Sequence, residues 1–223
     1  MYPQFKEKTF FSRVFFNMTW ALVLTALTAY GIASYPPFIG AVMSNWTGLF
    51  ILMILEVVLV FFLSRRIMVM SIGAAYLGLI VFSLVNGVTL SLIFVVYDIS
   101  SIFVVFFAAA GLFLAMGLFG FVTKTDLSPI GRFLIMGLFG IIIASLINLF
   151  IGSEMLMYLF SFVAVLIFSG LTAYDMQWLK RVYESGGLTP EQYEKFAIIG
   201  ALKLYLDLIN LFLNLLRIFG RRR

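Results

Sequence analysis

The sequence predicts an all-α membrane protein with seven transmembrane helices. Three observations carry this. First, 63% of the 223 residues are hydrophobic and 11% charged, with mean hydropathy +1.12, whereas soluble domains carry about 25% charged residues. Second, 26 phenylalanines exceed what a soluble core of this size can hide without large exposed apolar patches. Third, the apolar residues form runs of about 20, the length of a helical span. The period-two alternation of an outer-membrane barrel is absent.

The runs divide the chain into seven spans, at residues 14–34, 43–64, 71–96, 101–122, 131–151, 155–179 and 197–219. The first follows Lys6, Lys8 and Arg13 and so resembles a signal peptide. Its apolar stretch exceeds the usual 7–15 residues, and Tyr35-Pro36-Pro37 is a poor cleavage site, so a retained helix is expected. Spans two to five are almost uniformly apolar. The longest polar stretch is residues 180–195, between spans six and seven. No soluble domain fits, and residues 1–223 read as a single polytopic membrane domain.

Cations set the orientation. Lys6, Lys8 and Arg13 lie in the N-terminal tail, Arg65 and Arg66 between spans two and three, Lys124 and Arg132 between four and five, and Lys180, Arg181 and Lys195 between six and seven. The other three loops carry only Asp98 and Glu154. The N-terminus is therefore expected in the cytoplasm. The tail breaks the pattern. Seven full crossings put Arg217, Arg221, Arg222 and Arg223 outside, and a re-entrant last segment returns them to the cytoplasm. The net charge of +5 flanks the apolar runs and does not argue for nucleic acid. With no Cys and no His, disulfides and thiolate or imidazole metal sites are excluded. Proton sensing near neutral pH then falls to carboxylates.

Three carboxylates lie within apolar spans: Glu56, Asp175 and Asp207. Each costs roughly 2.5–3.5 kcal/mol at a helix centre on insertion scales, which points to a site for ions or protons. Asp207 belongs to the most unusual helix. At 100° per residue, Lys203, Asp207, Asn210, Asn214 and Arg217 fall within about 80° of one another. Such a polar stripe turns toward the bundle interior, because lipid cannot satisfy it. It reads either as a water-lined pathway or as hydrogen-bonding glue between helices. Lys203 and Asp207, four residues apart, can pair. Asp175 lies near the cytoplasmic end of span six beside Trp178, Lys180 and Arg181. It reads either as part of the site or as an interfacial acid in headgroup water. Glu56 has no polar neighbour one turn away on its own helix, so it needs a partner on another helix or a proton. Arg65 and Arg66 are interfacial anchors at the same face as Asp175, and a salt bridge to it is geometrically open.

At these residues the chain resembles the Bax inhibitor-1 family of transmembrane proteins, in its bacterial type. Residues 201–217, Ala-Leu-Lys-Leu-Tyr-Leu-Asp-Leu-Ile-Asn-Leu-Phe-Leu-Asn-Leu-Leu-Arg, resemble its C-terminal signature. Thr172-Ala173-Tyr174-Asp175 resembles the sixth-helix Tyr-Asp motif. Glu56 with Arg65-Arg66 resembles the second helix, and Asn86-Gly87-Val-Thr-Leu-Ser91 the third.

The resemblance implies six helices around a hydrophobic seventh and a pH-sensitive calcium leak across a bacterial plasma (inner) membrane. By motif, Asp175 and Asp207 become a proton-sharing pair that also meets the metal ion, and Arg65 or Arg66 a gating partner of Asp175. Calcium is the implied permeant ion, and no cofactor is expected. Asn210, Asn214 and backbone carbonyls can add neutral oxygens, which suit a hard cation. Lys203, one turn from Asp207, either biases that residue's titration or opposes calcium entry. The resemblance also implies a second function, modulation of a membrane-bound ATP-dependent protease without conduction. An enzyme is not expected. Intramembrane aspartyl proteases pair Tyr-Asp with Gly-x-Gly-Asp, and here Tyr-Leu precedes Asp207. A proton-coupled transporter remains a further reading.

Overall fold

The computed structural model describes residues 7–223, apart from the side chains of Glu7, Lys8 and Trp46. Of the cations assigned to the N-terminal tail, Lys6 and the side chain of Lys8 lie outside the described residues. The described chain runs through α1 (Glu7–Ala33), α2 (Pro36–Ser44), α3 (Trp46–Arg66), α4 (Ile72–Leu90), α5 (Ile93–Val96), α6 (Ile99–Val122), α7 (Ser128–Ile151), α8 (Glu154–Glu184) and α9 (Pro190–Phe219). Seven stretches among the described residues are long and apolar enough to span a membrane, with α4 and α5 forming one of them. They overlap the seven expected spans, but α8 runs on to Glu184 and α9 begins at Pro190, so most of the polar stretch 180–195 is helical as well.

Local chemistry explains the boundaries. Residues 35–42 fall between the first two apolar runs, and there Pro36 and Pro37 open the short helix α2, because proline in a first turn gives up no needed N–H and is pre-set in φ. The side chain of Asn45 caps α3 by accepting from Gly48 N at 2.7 Å, and Ser71 caps α4 by accepting from Ala74 N at 3.2 Å. The third span is interrupted between α4 and α5, where Ser91 Oγ donates back to Val88 O at 2.6 Å. Such side-chain bonds compete with the helical ladder. Gly152, at φ +69°, ends α7 in the left-handed conformation that favours glycine.

The helices form two compact units. The first comprises the described part of Met1–Tyr97 together with Val182–Tyr205 and Arg223. Its core holds Val14, Leu79, Phe82, Leu202, Leu204 and Tyr205, all 2% exposed or less. α1 meets α4 at Gly87, where a Cβ would lie 2.6 Å from Thr28 Cβ and 2.8 Å from Thr25 O. At one end of this unit Glu194, in the first turns of α9, accepts from both Arg13 of α1 and the Tyr76 hydroxyl of α4. Lys195, only 5% exposed, donates to Met68 O at 3.0 Å and pairs with Glu191 at 2.8 Å. The start of α9 is thereby bound to the cation-bearing connection between α3 and α4.

The second unit comprises Asp98–Arg181 and Leu206–Arg222. α6 and α8 touch backbone to backbone at Gly120, whose Cβ, if present, would collide with the main chain of Ala173. Gln177 of α8 holds the α6–α7 connection, accepting from Leu127 N at 2.9 Å and donating to Thr125 O at 2.7 Å. α7 turns its apolar surface outward, with 6% of its span buried. Past the other end of α9, Arg221 O accepts from Asp98 N at 3.0 Å and Arg221 N donates to Ser101 Oγ at 2.9 Å.

These attachments decide how the last segment runs. α9 is one uninterrupted helix of 30 residues, about 45 Å long, against a hydrocarbon layer of about 30 Å. It starts against the α3–α4 connection and ends against the connection between α5 and α6. A helix of that length without a break has no internal turn at which to re-enter, and Arg221, just past its end, meets Asp98. With 72% of its span buried, against 39% or less for the other six, α9 fits the expectation of an inner helix.

Candidate functional site

Asp175 and Asp207 both belong to the second unit, on α8 and α9. Those helices meet there through Arg217 Nη1, which donates to Ser161 Oγ at 3.1 Å. The two acids are 5% and 4% exposed. Asp175 is therefore packed within the protein at this end of α8. Among the neighbouring cations, Lys180 Nζ donates to Phe121 O at 2.9 Å, and Arg181 Nη1 donates to Asp126 Oδ1 at 2.9 Å and Ser128 Oγ at 2.7 Å. Tyr174 is wedged by its ring against Gly131 of α7, and Ala173 against Gly120 of α6. The Ala-Tyr-Asp tract is thus fixed by close packing on both sides before Asp175 is reached.

Along α9, Asn210 Nδ2 donates to Leu206 O and Asn214 Nδ2 to Asn210 O, each at 2.8 Å. Both amide nitrogens are spent on the helix's own backbone, so what each side chain can offer a cation is its carbonyl oxygen. Lys203, Asn210 and Asn214 are partly buried. Among the described residues no three acidic, His or Cys side chains cluster.

Glu56 lies in the first unit and has the inter-helix partner that its position on α3 requires. Thr89 of α4 donates to Glu56 Oε1 at 2.6 Å, and the Asn86 side chain bonds the same carboxyl group. Asn86 Oδ1 accepts from the Tyr205 hydroxyl of α9 at 2.8 Å, and that hydroxyl lies 2.7 Å from Thr25 Oγ1 of α1. The single proton of Thr25 serves that contact, because the Tyr205 proton goes to Asn86, and Ser83 O at 3.0 Å is its alternative acceptor. One polar chain therefore joins α3, α4, α9 and α1. The Asn-Gly-Val-Thr tract is explained by it: Asn86 and Thr89 supply the bonds, and Gly87 lets α1 approach. Arg65 and Arg66 are exposed at the end of α3, with the Arg65 guanidinium 5.9 Å over the Phe61 ring. They belong to the first unit and Asp175 to the second, so their pairing rests on the family resemblance.

Sequence reasoning missed Thr25, the Tyr205 hydroxyl and Gln177 as organising groups. Thr25 sits in Leu-Thr-Ala and Tyr205 within an apolar signature, and neither spacing announces a partner. Gln177 stands two residues beyond Asp175, and its bonds to the α6–α7 connection depend on a fold the sequence does not display.

Residues 7–223 match the family described as "Inhibitor of apoptosis-promoting Bax1". The inner membrane protein YbhL of Escherichia coli strain K12 is 42% identical over 222 residues, covering 99% of this chain and 95% of that protein. An uncharacterized protein of Borreliella burgdorferi is 40% identical over 217 residues, covering 97% and 94%, and one of Deinococcus radiodurans 38% over 218, covering 96% and 91%. With the buried acids, the polar last helix and seven spans already in place, these matches establish that the chain is an integral membrane protein belonging to the Bax inhibitor-1 family.

Proposed function

We propose that this protein is a pH-sensitive calcium leak channel of a bacterial inner membrane, gated by Asp175 and Asp207. The observation that supports this reading is the burial of both carboxylates, 5% and 4% exposed, on two helices of one compact unit. Charges are costly there and are kept only for a purpose. At low pH the pair shares a proton and the path is closed, because two neighbouring carboxylates do not both ionise cheaply. At higher pH both ionise, repel each other and attract a hard cation. Asn210 and Asn214 line the continuation of the path, Lys203 limits cation density at its cytoplasmic side, and Arg65 or Arg66 holds Asp175 in the closed state. Glu56 responds to pH through its contact with Thr89.

The test is calcium entry into dye-loaded liposomes containing the purified protein, from pH 6 to pH 8, with Asp175→Asn and Asp207→Asn alongside. Flux that rises with pH in the wild type and loses that dependence in either variant supports the reading. Unchanged, equally pH-dependent flux in both variants rejects the pair as the sensor. No flux at any pH rejects the channel and moves weight to the modulator of a membrane-bound ATP-dependent protease.

A further inference from the structure

The arginine-bearing end of α9 is not used by the proposed leak. Four arginines follow Asn214, at positions 217, 221, 222 and 223, at the face that the distribution of cations assigns to the outside. A cation excess on that side opposes the usual bias. Arg221 is accounted for, since its guanidinium meets the carboxylate of Asp98 at 3.5 Å. Arg217 and Arg222 are arranged differently. They line a cavity of about 260 Å³ together with Glu154, Met157, Tyr158 and Gly220, all within the second unit. That volume equals roughly nine waters at about 30 Å³ each.

The charges in this cavity are held apart. Neither arginine forms an ion pair with Glu154 among the described residues, and Arg217 spends one nitrogen on Ser161 Oγ. Two guanidinium groups and one carboxylate thus face a common space without neutralising one another. A ligand that complements them carries both a phosphate and an ammonium. Guanidinium binds phosphate through paired N–H donors, and a carboxylate accepts from an ammonium. The surroundings identify where such a ligand comes from. Phe150, Met155 and Phe219, 93%, 85% and 66% exposed, flank the same end of α7, α8 and α9. They offer apolar surface for acyl chains next to a polar pocket. Tyr158 has the amphipathic ring that favours the membrane–water interface.

We infer that Glu154, Arg217 and Arg222 form a binding site for an amine-bearing phospholipid headgroup of the outer leaflet. The phosphate sits between Arg217 and Arg222, and the amine reaches Glu154. Phosphatidylethanolamine has this chemistry, and phosphatidylglycerol supplies the phosphate without the amine. The lipid ties the ends of α8 and α9 to the bilayer surface. The inference stands independently of calcium conduction.

The experiment is native mass spectrometry of the delipidated full-length protein, titrated with phosphatidylethanolamine and phosphatidylglycerol of identical acyl chains. Arg222→Gln and Glu154→Gln are run in parallel, with inorganic phosphate and O-phosphoethanolamine as water-soluble competitors. The wild type is expected to prefer the ethanolamine lipid about fivefold. Arg222→Gln should weaken both lipids by about tenfold. Glu154→Gln should abolish the preference while leaving phosphatidylglycerol binding intact, a pattern that misfolding does not imitate because misfolding lowers both. Equal binding of both lipids by all three proteins overturns the site. Displacement of the lipid by millimolar inorganic phosphate overturns the lipid assignment in favour of a free anion.

Discussion

Removing the Tyr205 hydroxyl is the sharpest test of the polar chain in the first unit. In Tyr205→Phe the ring stays, so its edge contact with Phe82, at 5.4 Å between centroids and 73° between planes, survives and no cavity opens. What is lost is the 2.8 Å bond to Asn86 Oδ1 and the 2.7 Å contact with Thr25 Oγ1. Hydrogen bonds between membrane helices average about 0.6 kcal/mol and reach about 1.7, so two are worth about 1–2 kcal/mol. Asn86 Oδ1 is also left without this donor in a buried position, and an orphaned buried acceptor costs about 1–3 kcal/mol. Part of that penalty is already contained in the bond values, so the expected loss is about 1.5–3 kcal/mol. The assay is reversible unfolding in mixed micelles with increasing SDS, read by helical circular dichroism. A double-mutant cycle with Thr25→Val isolates the Thr25 contact, for which a coupling of about 0.6 kcal/mol is expected. A Tyr205→Phe protein within about 0.3 kcal/mol of the wild type, with no coupling to Thr25→Val, refutes the network as a stabilising element. Because Asp207 follows Tyr205 by two residues, about 200° around the helix, the network grips the opposite side of α9 from the acid. Calcium flux should therefore keep its pH dependence in this variant.

Two further perturbations test the second unit. Gly120→Ala and Gly111→Ala both remove a helical glycine, which favours a helix by about 1 kcal/mol, but an added Cβ meets backbone atoms of Ala173 at position 120 and nothing within 4 Å at position 111. Overpacking of about 1–3 kcal/mol should make Gly120→Ala the less stable protein and Gly111→Ala the equal or more stable one, and thermal unfolding in detergent ranks them. Asp126, on the exposed α6–α7 connection, is held below its ordinary value of 3.8 chiefly by the backbone N–H and hydroxyl of Ser128, which outweigh desolvation, with a lesser contribution from Arg181. Its folded value is depressed, so its small contribution to stability is present above 3.8 and disappears as pH falls through the lowered value. Asp126→Asn should flatten that acid-side decline, and melting curves at successive pH values between 6 and 3 will show whether it does.

How much of this was legible beforehand differs from residue to residue. The seven spans were visible because each is a long apolar run that only a bilayer accommodates. Glu56, Asp175 and Asp207 were visible because a charge within such a run has few structural excuses. The short helix α2 falls between the first two apolar runs and is too short to stand out by hydropathy, while Pro36 and Pro37 fit its first turn. Asp175 kept two readings because its surroundings depend on how α8 packs, and it is 5% exposed beside the close contacts of Ala173 and Tyr174 with Gly120 and Gly131. The partners of Glu56 could not be read at all, because Thr89 and Asn86 lie on another helix and Tyr205 on a third.

The course of α9 separates the two sources of information most clearly. By itself the sequence determined that residues 197–219 form an apolar helix with a polar stripe, because hydropathy and a 100° repeat are local properties of a chain. It could not determine whether Arg217 and the arginines after it cross the membrane, because the cation rule and the length of the segment pointed in opposite directions. The structure shows one uninterrupted helix with no turn at which the segment could double back, with Glu194 and Lys195 bonded to α1, α4 and the α3–α4 connection within the first unit and Arg221 to Asp98 within the second. Those bonds join residues more than a hundred positions apart, and such pairings exist only once the helices have packed.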